Sequence, residues 1–268
     1  MNRIDEKFMG LRSKGLKAFI AYITCGDPDL ATTEKLILEL ARRGVDMVEL
    51  GVPFSDPLAD GTTIQRASER ALQNKVSLKD ILGLVKRLRK RRVGIPLVLF
   101  SYYNPIYKYG IGRLVKDLVA SDVDGVIIPD LPPEEGKDLA SDLAIHGLDM
   151  AYLAAPTSTP ERIRMIARES DGFIYYVSRT GITGVRKTLA KDIRRKVTQI
   201  RKVTRKPIVV GFGISNPKHV RMIADMAADG VVVGSAIIDV IERNLGRKDL
   251  VKKTGDFVQG LVRAAKEV

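Results

Sequence analysis

Residues 46–61 read D-M-V-E-L-G-V-P-F-S-D-P-L-A-D-G. Met47, Val48 and Leu50 make a short apolar strand, and Glu49 sits inside it. Burying a carboxylate at such a point costs several kcal/mol unless it is paired or has a task. The loop that follows, 51–61, carries two prolines and two further carboxylates, Asp56 and Asp60. Connections of that length are as a rule surface features that carry function. Glu49 on the strand and Asp60 on the loop can therefore face each other across one cavity. Burial raises the pKa of a carboxyl toward the range where it both gives and takes a proton. A structural Glu paired with an arginine of a neighbouring strand is the alternative at this level.

Outward from this stretch the same unit recurs. Strand patterns fall at 18–24, 47–50, 97–100, 125–128, 150–153, 173–177, 208–210 and 230–233. Helical patterns separate them at 30–43, 62–73, 78–92, 112–120, 133–146, 160–168, 190–203 and 217–227, and one or two helices close the chain over 235–268. Ahead of the first strand, Ile4, Phe8 and Leu11 recur at helical spacing, which predicts a short amphipathic helix able to plug the N-terminal mouth of a barrel. The eight strands are short and apolar on both faces, as buried parallel strands are. Eight strand–helix units with no linker or break in composition predict an α/β chain folded as a single (β/α)8 TIM barrel domain over 1–268, with an extra N-terminal helix and an extra C-terminal helix. A doubly wound open sheet is the alternative for the same alternation.

Composition narrows the function classes. At 268 residues the chain has the size of one α/β barrel, typically about 250 residues. A single cysteine, Cys25, rules out an internal disulfide framework and fits a reducing, cytoplasmic setting. With only two histidines besides, a zinc cluster is not expected. No signal peptide and no membrane-length apolar run is evident. The net charge of +13, with a basic run at 86–92 and another at 186–206, raises nucleic-acid binding. The first run ends an amphipathic helix, where cations favour the dipole, and no aromatic interleaves with either. The expectation is no nucleic acid and no membrane.

In a barrel the chemistry sits at the C-terminal ends of the strands, where Glu49 and the loop after it lie. His146 precedes the fifth strand and His219 falls within a helix, so proton work is left to carboxylates. Glycine-rich spots follow the last three strands: S-R-T-G-I-T-G at 178–184, G-F-G-I-S at 211–215, and Gly234-Ser235. Glycine lets backbone N–H groups approach an anion, and a helix beginning at Ser235 aims its positive dipole end there. Each glycine alone is an ordinary turn residue. Three such spots at consecutive strand tops predict a ligand that carries a phosphate.

These motifs have a counterpart. The 46–61 stretch, T-C-G-D-P at 24–28, Y-Y-N-P at 102–105, P-D-L-P at 129–132, Y-Y-V-S-R-T-G-I-T-G at 175–184, G-F-G-I-S and V-V-V-G-S-A at 231–236 together resemble the tryptophan synthase α-subunit family, in the family's order and over essentially the whole chain. The resemblance implies a lyase that cleaves indole-3-glycerol phosphate, by a retro-aldol reaction, to indole and glyceraldehyde 3-phosphate. Glu49 would be the general acid/base, and Asp60 would hydrogen-bond the indole N–H and stabilise the indolenine intermediate. Tyr175 would lie near Glu49 and orient it. Thr183 would close over the site and contact Asp60. Gly184, Gly213, Gly234 and Ser235 would hold the phosphate. Phe212, Tyr102, Phe100, Ile64, Ile127 and Tyr22 would line the indole slot. Tyr22 stands where the family commonly has Phe, Phe100 and Ile127 where it often has Leu, and Cys25 where Ala is usual; none of these changes removes a catalytic group.

The resemblance also implies tryptophan biosynthesis in an αββα heterotetramer. Indole would pass to a β subunit that carries pyridoxal phosphate, and this chain itself would need neither metal nor cofactor. The 53–60 loop and the 102–109 region would face that partner, with loop closure coupling the two sites. Two other readings keep the barrel: a sugar-phosphate isomerase, and a feeble catalyst that mainly activates a partner. The Glu49/Asp60 pair argues against the first and against a wholly inactive protein, while dependence on the partner stays open.

Overall fold

The computed structural model describes residues 2–178, 186–211 and 213–267, with backbone alone at 186–190. Among the expected site residues, Thr183, Gly184 and Phe212 lie outside the described residues, as does most of the 179–188 loop.

The strands are β1 (Ala18–Thr24), β2 (Met47–Gly51), β3 (Leu97–Phe100), β4 (Gly125–Ile127), β5 (Asp149–Ala151), β6 (Leu153–Ala154), β7 (Ile174–Val177), β8 (Ile208–Gly211) and β9 (Gly230–Val233). The helices are α1 (Arg3–Arg12), α2 (Leu30–Arg42), α3 (Thr62–Gln73), α4 (Leu78–Lys90), α5 (Tyr103–Tyr109), α6 (Ile111–Ser121), α7 (Lys137–Ile145), α8 (Pro160–Glu169), α9 (Arg186–Arg201), α10 (Pro217–Ala224), α11 (Ser235–Glu242) and α12 (Leu250–Lys266). All strand pairs in the described ladder are parallel, in the order β5-β4-β3-β2-β1-β9-β8-β7-β6.

Both ends of that order belong to one stretch of chain. The fifth expected strand is split at Tyr152 into β5, which pairs with β4, and β6, which pairs with β7. Tyr152 spans the break: its N–H bonds the Ser170 hydroxyl at 3.1 Å, and its carbonyl accepts the Tyr175 N–H at 3.2 Å. The sheet thereby closes to a barrel, and the open doubly wound alternative is excluded.

Two further expectations need correction. The helix expected over 133–146 begins only at Lys137. The Pro132 carbonyl accepts the N–H groups of both Glu135 and Gly136, which holds the chain in a turn, and Gly136 lies against Tyr152, whose hydroxyl would be 2.3 Å from a Cβ there. Helix α5 was not expected. Its signals are Pro105 in the first turn, where a missing N–H costs nothing, and Gly110 at φ +94 beyond its end.

A closed parallel sheet has two apolar compartments. Leu36, Ile37, Leu84, Leu118, Val210 and many others fill the shell between strands and helices. The interior holds Ile20, Met47, Val98, Phe100, Ile127, Tyr175, Val209 and Val232. Ile4, Phe8 and Leu11 of α1 close its floor as the expected plug, with the Phe8 and Phe173 rings 5.8 Å apart.

The plug is held by charge as well. Three aspartates at the feet of strands each accept an N–H from the strand next door: Asp46 from Phe19 (2.8 Å), Asp124 from Leu97 (2.7 Å) and Asp229 from Ile208 (2.8 Å). Each meets one cation of α1, namely Lys7 on Asp46 (3.9 Å), Arg3 on Asp124 (2.9 Å) and Arg12 on Asp229 (3.5 Å). A second cation comes from an outer helix: Lys266 on Asp46, Arg89 on Asp124 and Arg201 on Asp229. Part of the basic excess therefore has a structural task. Within the 86–92 run, Arg89 serves the floor while Arg87 and Arg91 both reach Glu34 of α2.

Breaking a buried pair leaves an uncompensated charge, whereas an exposed pair is worth little. Arg89→Met should lower the unfolding free energy by about 3 kcal/mol. Arg87→Met, whose pair with Glu34 is exposed, should lower it by less than about 1 kcal/mol. Urea unfolding of both variants measures the difference.

Candidate active site

Strand alternation decides where Glu49 points. In β2, Met47 belongs to the barrel interior while Val48 and Leu50 belong to the outer shell. Glu49 therefore faces inward, between the interior residues Tyr22 and Val98 with which it is in register. It is 0 % exposed, and neither carboxylate oxygen has a hydrogen-bond partner among the described residues. No described arginine pairs with it, as a structural reading would require. Burial pushes its pKa up to about 8, so that it holds a proton at neutral pH.

Asp60 comes from the loop beyond the same strand. Its N–H bonds the Pro57 carbonyl at 3.1 Å, and its own carbonyl accepts from the Gln65 side chain at 2.9 Å. Tyr102 fixes its carboxyl. The Tyr102 hydroxyl accepts the Ala59 N–H at 2.9 Å, which leaves its proton free to donate to Asp60. Burial raises the Asp60 carboxyl to about 6, with the Tyr102 hydrogen bond opposing the shift. The Phe54 and Tyr102 rings, 5.4 Å apart, tie the rest of the loop to the start of α5.

Tyr22 and Tyr175 complete the mouth. Burial drives both phenols well above their ordinary range; the Asp60 charge adds to the shift at Tyr22, and the Glu49 charge adds to it at Tyr175. The four groups thus share one apolar chamber. Tyr22 packs edge-on against Phe100 with centroids 5.4 Å apart. Ile127 is fully buried in the same cluster, and Ile64 packs against it. The structure therefore brings together Glu49, Asp60, Tyr22, Phe100, Ile64, Ile127, Tyr102 and Tyr175. Tyr175 neighbours Glu49 without a hydrogen bond to it.

Inward-facing glycines make room for the tyrosines. A Cβ on Gly51 would lie 2.3 Å from the Tyr22 hydroxyl, and one on Gly211 would lie 2.3 Å from the Tyr175 hydroxyl. Residue-level reading missed Gly51 and Gly211 as shape-determining positions. Counting by twos from Met47 and Val209 would have turned both inward.

The glycine-rich tops of the last strands also converge. β8 and β9 are neighbours in the sheet, so Gly213 and Gly234-Ser235 follow adjacent strands. Gly213 is exposed at φ +70. No side chain caps α11, which starts at Ser235 directly after Gly234. Uncapped N–H groups with the positive end of a helix dipole form an anion site. The histidines stay apart from this constellation: His146 closes α7, and His219 lies in the first turn of α10. Among the described residues, no group of three or more His, Cys, Asp or Glu side chains could hold a metal ion, and no helix is long and apolar enough to cross a membrane.

Comparison with known proteins agrees with this fold. The family model for the tryptophan synthase alpha chain matches residues 8–266. A tryptophan synthase alpha chain of Geobacter sp. (strain M21) is 49% identical over 261 residues, covering 97% of each chain. That of Chloroflexus aggregans is 47% identical over 268 residues, covering 100% of each. Among solved structures, tryptophan synthase subunit alpha from Legionella pneumophila superposes with a TM-score of 0.92 at 35% identity over 100% of both chains. A chain of Mycobacterium tuberculosis tryptophan synthase gives 0.89 at 33% identity, covering 99% of this chain and 98% of the other.

The unpaired Glu49 carboxyl has a measurable consequence. Its folded-state pKa, about 8, lies above the unfolded value, so its contribution to stability is complete below the unfolded pKa and is lost as pH rises through about 8. Glu49→Gln removes the ionisation. The variant should melt several degrees above the parent at pH 8.5, with the gap shrinking toward pH 5.5. A constant gap across that range would remove the buried ionisable group from the explanation.

Proposed function

This chain belongs to the tryptophan synthase alpha chain family, and we propose that Glu49 and Asp60 are the acid/base and charge-stabilising carboxylates of its lyase reaction. The reaction cleaves indole-3-glycerol phosphate to indole and glyceraldehyde 3-phosphate in tryptophan biosynthesis, and indole passes to a beta subunit. The observation that carries the residue assignment is the Glu49 carboxyl, inward, fully buried and unpaired.

The chemistry needs one proton delivered and one removed. Glu49, protonated at neutral pH, gives its proton to indole C3, and positive charge develops on the ring nitrogen. The Asp60 carboxylate, which is largely ionised at neutral pH, accepts a hydrogen bond from that N–H and stabilises the charge. The Glu49 carboxylate then takes the proton of the side-chain hydroxyl nearest the ring. The C–C bond breaks, its electron pair returns to the ring, and the hydroxyl carbon becomes the aldehyde. Glu49 ends protonated, ready for another cycle. Separation of two carboxyl pKa values by environment supports this division of labour.

Tyr22, Phe100, Ile64, Ile127, Tyr102 and Tyr175 provide the slot for the indole ring; the cluster shared by the five other than Tyr102 and the hydrogen bond of Tyr102 to Asp60 support it. Gly213, Gly234 and Ser235 bind the phosphate through backbone N–H groups, with Gly184, Thr183 and Phe212 carried into the proposal by family resemblance. In this family pyridoxal phosphate belongs to the beta subunit, and the alpha chain acts without metal or cofactor of its own. The partner is the beta subunit, in an αββα assembly. Leu58 on the 53–60 loop is 95% exposed and Tyr107 on α5 is 69% exposed, which suits the two segments assigned to that contact. The chain works as one domain in the cytoplasm.

Indole release by the purified chain, alone and with a beta subunit, tests the assignment. Glu49→Gln should lose at least about 10²-fold in kcat while remaining folded. The profile of kcat/KM against pH should be a bell, rising through about 6 as Asp60 ionises and falling through about 8 as Glu49 loses its proton. Asp60→Asn should abolish the acidic limb. Unchanged activity in Glu49→Gln would overturn the mechanism and leave the fold standing.

A further inference from the structure

Outside the chamber, all three side-chain nitrogens of Arg70 on α3 are engaged by carboxylates. Its guanidinium grips the buried Asp27 carboxylate with two parallel hydrogen bonds, Nε to Oδ1 at 2.7 Å and Nη2 to Oδ2 at 2.8 Å. Its third nitrogen, Nη1, reaches Glu242 Oε1 at 2.7 Å. Asp27 lies in the turn after β1, and Glu242 ends α11. Glu242 also receives Arg66, one turn earlier on α3, through bonds of 2.8 and 2.7 Å. Another turn toward the start of α3, the Thr63 hydroxyl bonds Asp239 of α11 at 3.3 Å. At the end of α3, the Asn74 side chain bonds the carbonyls of Gly26 and Pro28 in the same β1 turn.

The two helices joined in this way begin at opposite ends of the proposed substrate. Asp60 immediately precedes the Gly61 cap of α3, and Gly234 and Ser235 begin α11. Thr63 pairs with Asp239 and Arg66 with Glu242, so both helices advance three residues between contacts and run side by side in fixed register. Arg70 fastens that register to the barrel through Asp27. A fork of this geometry is available to arginine and not to lysine.

We infer that Arg70 is a positioning residue that sets the span between the ring-end carboxylate Asp60 and the phosphate cradle at Gly234-Ser235, and so selects ligands whose ring and phosphate are the right distance apart. This rests on the assignment of those two ends under the proposed function. Arg70 touches neither end, and its effect is on their separation. A ligand that fills both ends depends on that separation, and a ligand that fills one end does not.

The test compares three probes by calorimetry: indole, glycerol 3-phosphate, and an indole joined to phosphate by a three-carbon chain without hydroxyls. Glu242→Gln removes the charge on α11 that Arg66 and Arg70 share, and keeps the Asp27–Arg70 pair. The double variant Asp27→Asn/Arg70→Met removes the anchor without leaving a buried carboxylate unpaired. In both, affinity for the single-ended probes should stay within about twofold of the parent, while the two-ended probe weakens by about tenfold or more. KM for the substrate should rise with it. Thermal unfolding checks that each variant is folded; if the double variant is not, Glu242→Gln alone decides. Unchanged affinity for the two-ended probe, or an equal loss for all three, overturns the inference. If the parent itself binds the two-ended probe no better than its halves, the site assignment fails and takes this inference with it. If the parent shows that gain and the variants retain it, only the role of Arg70 fails.

Discussion

Closure of the parallel sheet is the constraint on which the rest depends. Once β5 and β6 meet their neighbours on either side of Tyr152, every strand residue faces either the interior or the shell under the helices. Both compartments are lined by buried apolar side chains. Glu49 takes an inward position in that sheet with no hydrogen-bond partner among the described residues. Its raised pKa follows from placement alone, since burial is the cause of the shift. In a half-solvated antiparallel sheet the same side chain would face water and titrate as an ordinary glutamate.

The two ends of the barrel solve opposite problems. At the floor, Asp46, Asp124 and Asp229 are buried or nearly so, and each is satisfied by a strand N–H and two cations. One helix, α1, supplies a cation to all three and three apolar side chains to the interior. That end is built for rigidity. At the mouth, carboxyls are left short of partners, and glycines at Gly51 and Gly211 leave the space that the Tyr22 and Tyr175 hydroxyls occupy. Unpaired polar groups lower stability where they stand, and they are what a substrate would complete.

Between the two ends, the α3–α11 pair carries the loop with Asp60 and the turn with Gly234. Strand geometry alone does not fix their relative position, because both lie beyond the last ladder bonds of their strands. Arg66, Arg70 and Glu242 make the connection through side chains. A site assembled from a loop and a helix start thereby acquires a defined span.

The eight-fold alternation of apolar strand and amphipathic helix was legible in the sequence because it rests on local periodicity and on glycine and proline at element ends. Glu49 stood out for the same reason, as a carboxyl in an apolar run, and the motif order around it identified the family. The glycine clusters after the last strands stood out by their position alone, and they are the basis of the anion site proposed above. Other features needed the folded chain. The break at Tyr152 arises because one stretch must join both edges of a closing sheet. The three floor pairings of α1 link residues separated by tens to hundreds of positions, Arg3 to Asp124 and Arg12 to Asp229 among them. The fit of Tyr22 over Gly51 and of Tyr175 over Gly211 depends on register between strands, and so does the burial of Glu49. Sequence determined which residues could do the chemistry, because residue type and periodicity are local. Tertiary structure decided which of them are desolvated and how far apart they are held, because burial and register exist only once distant segments pack together.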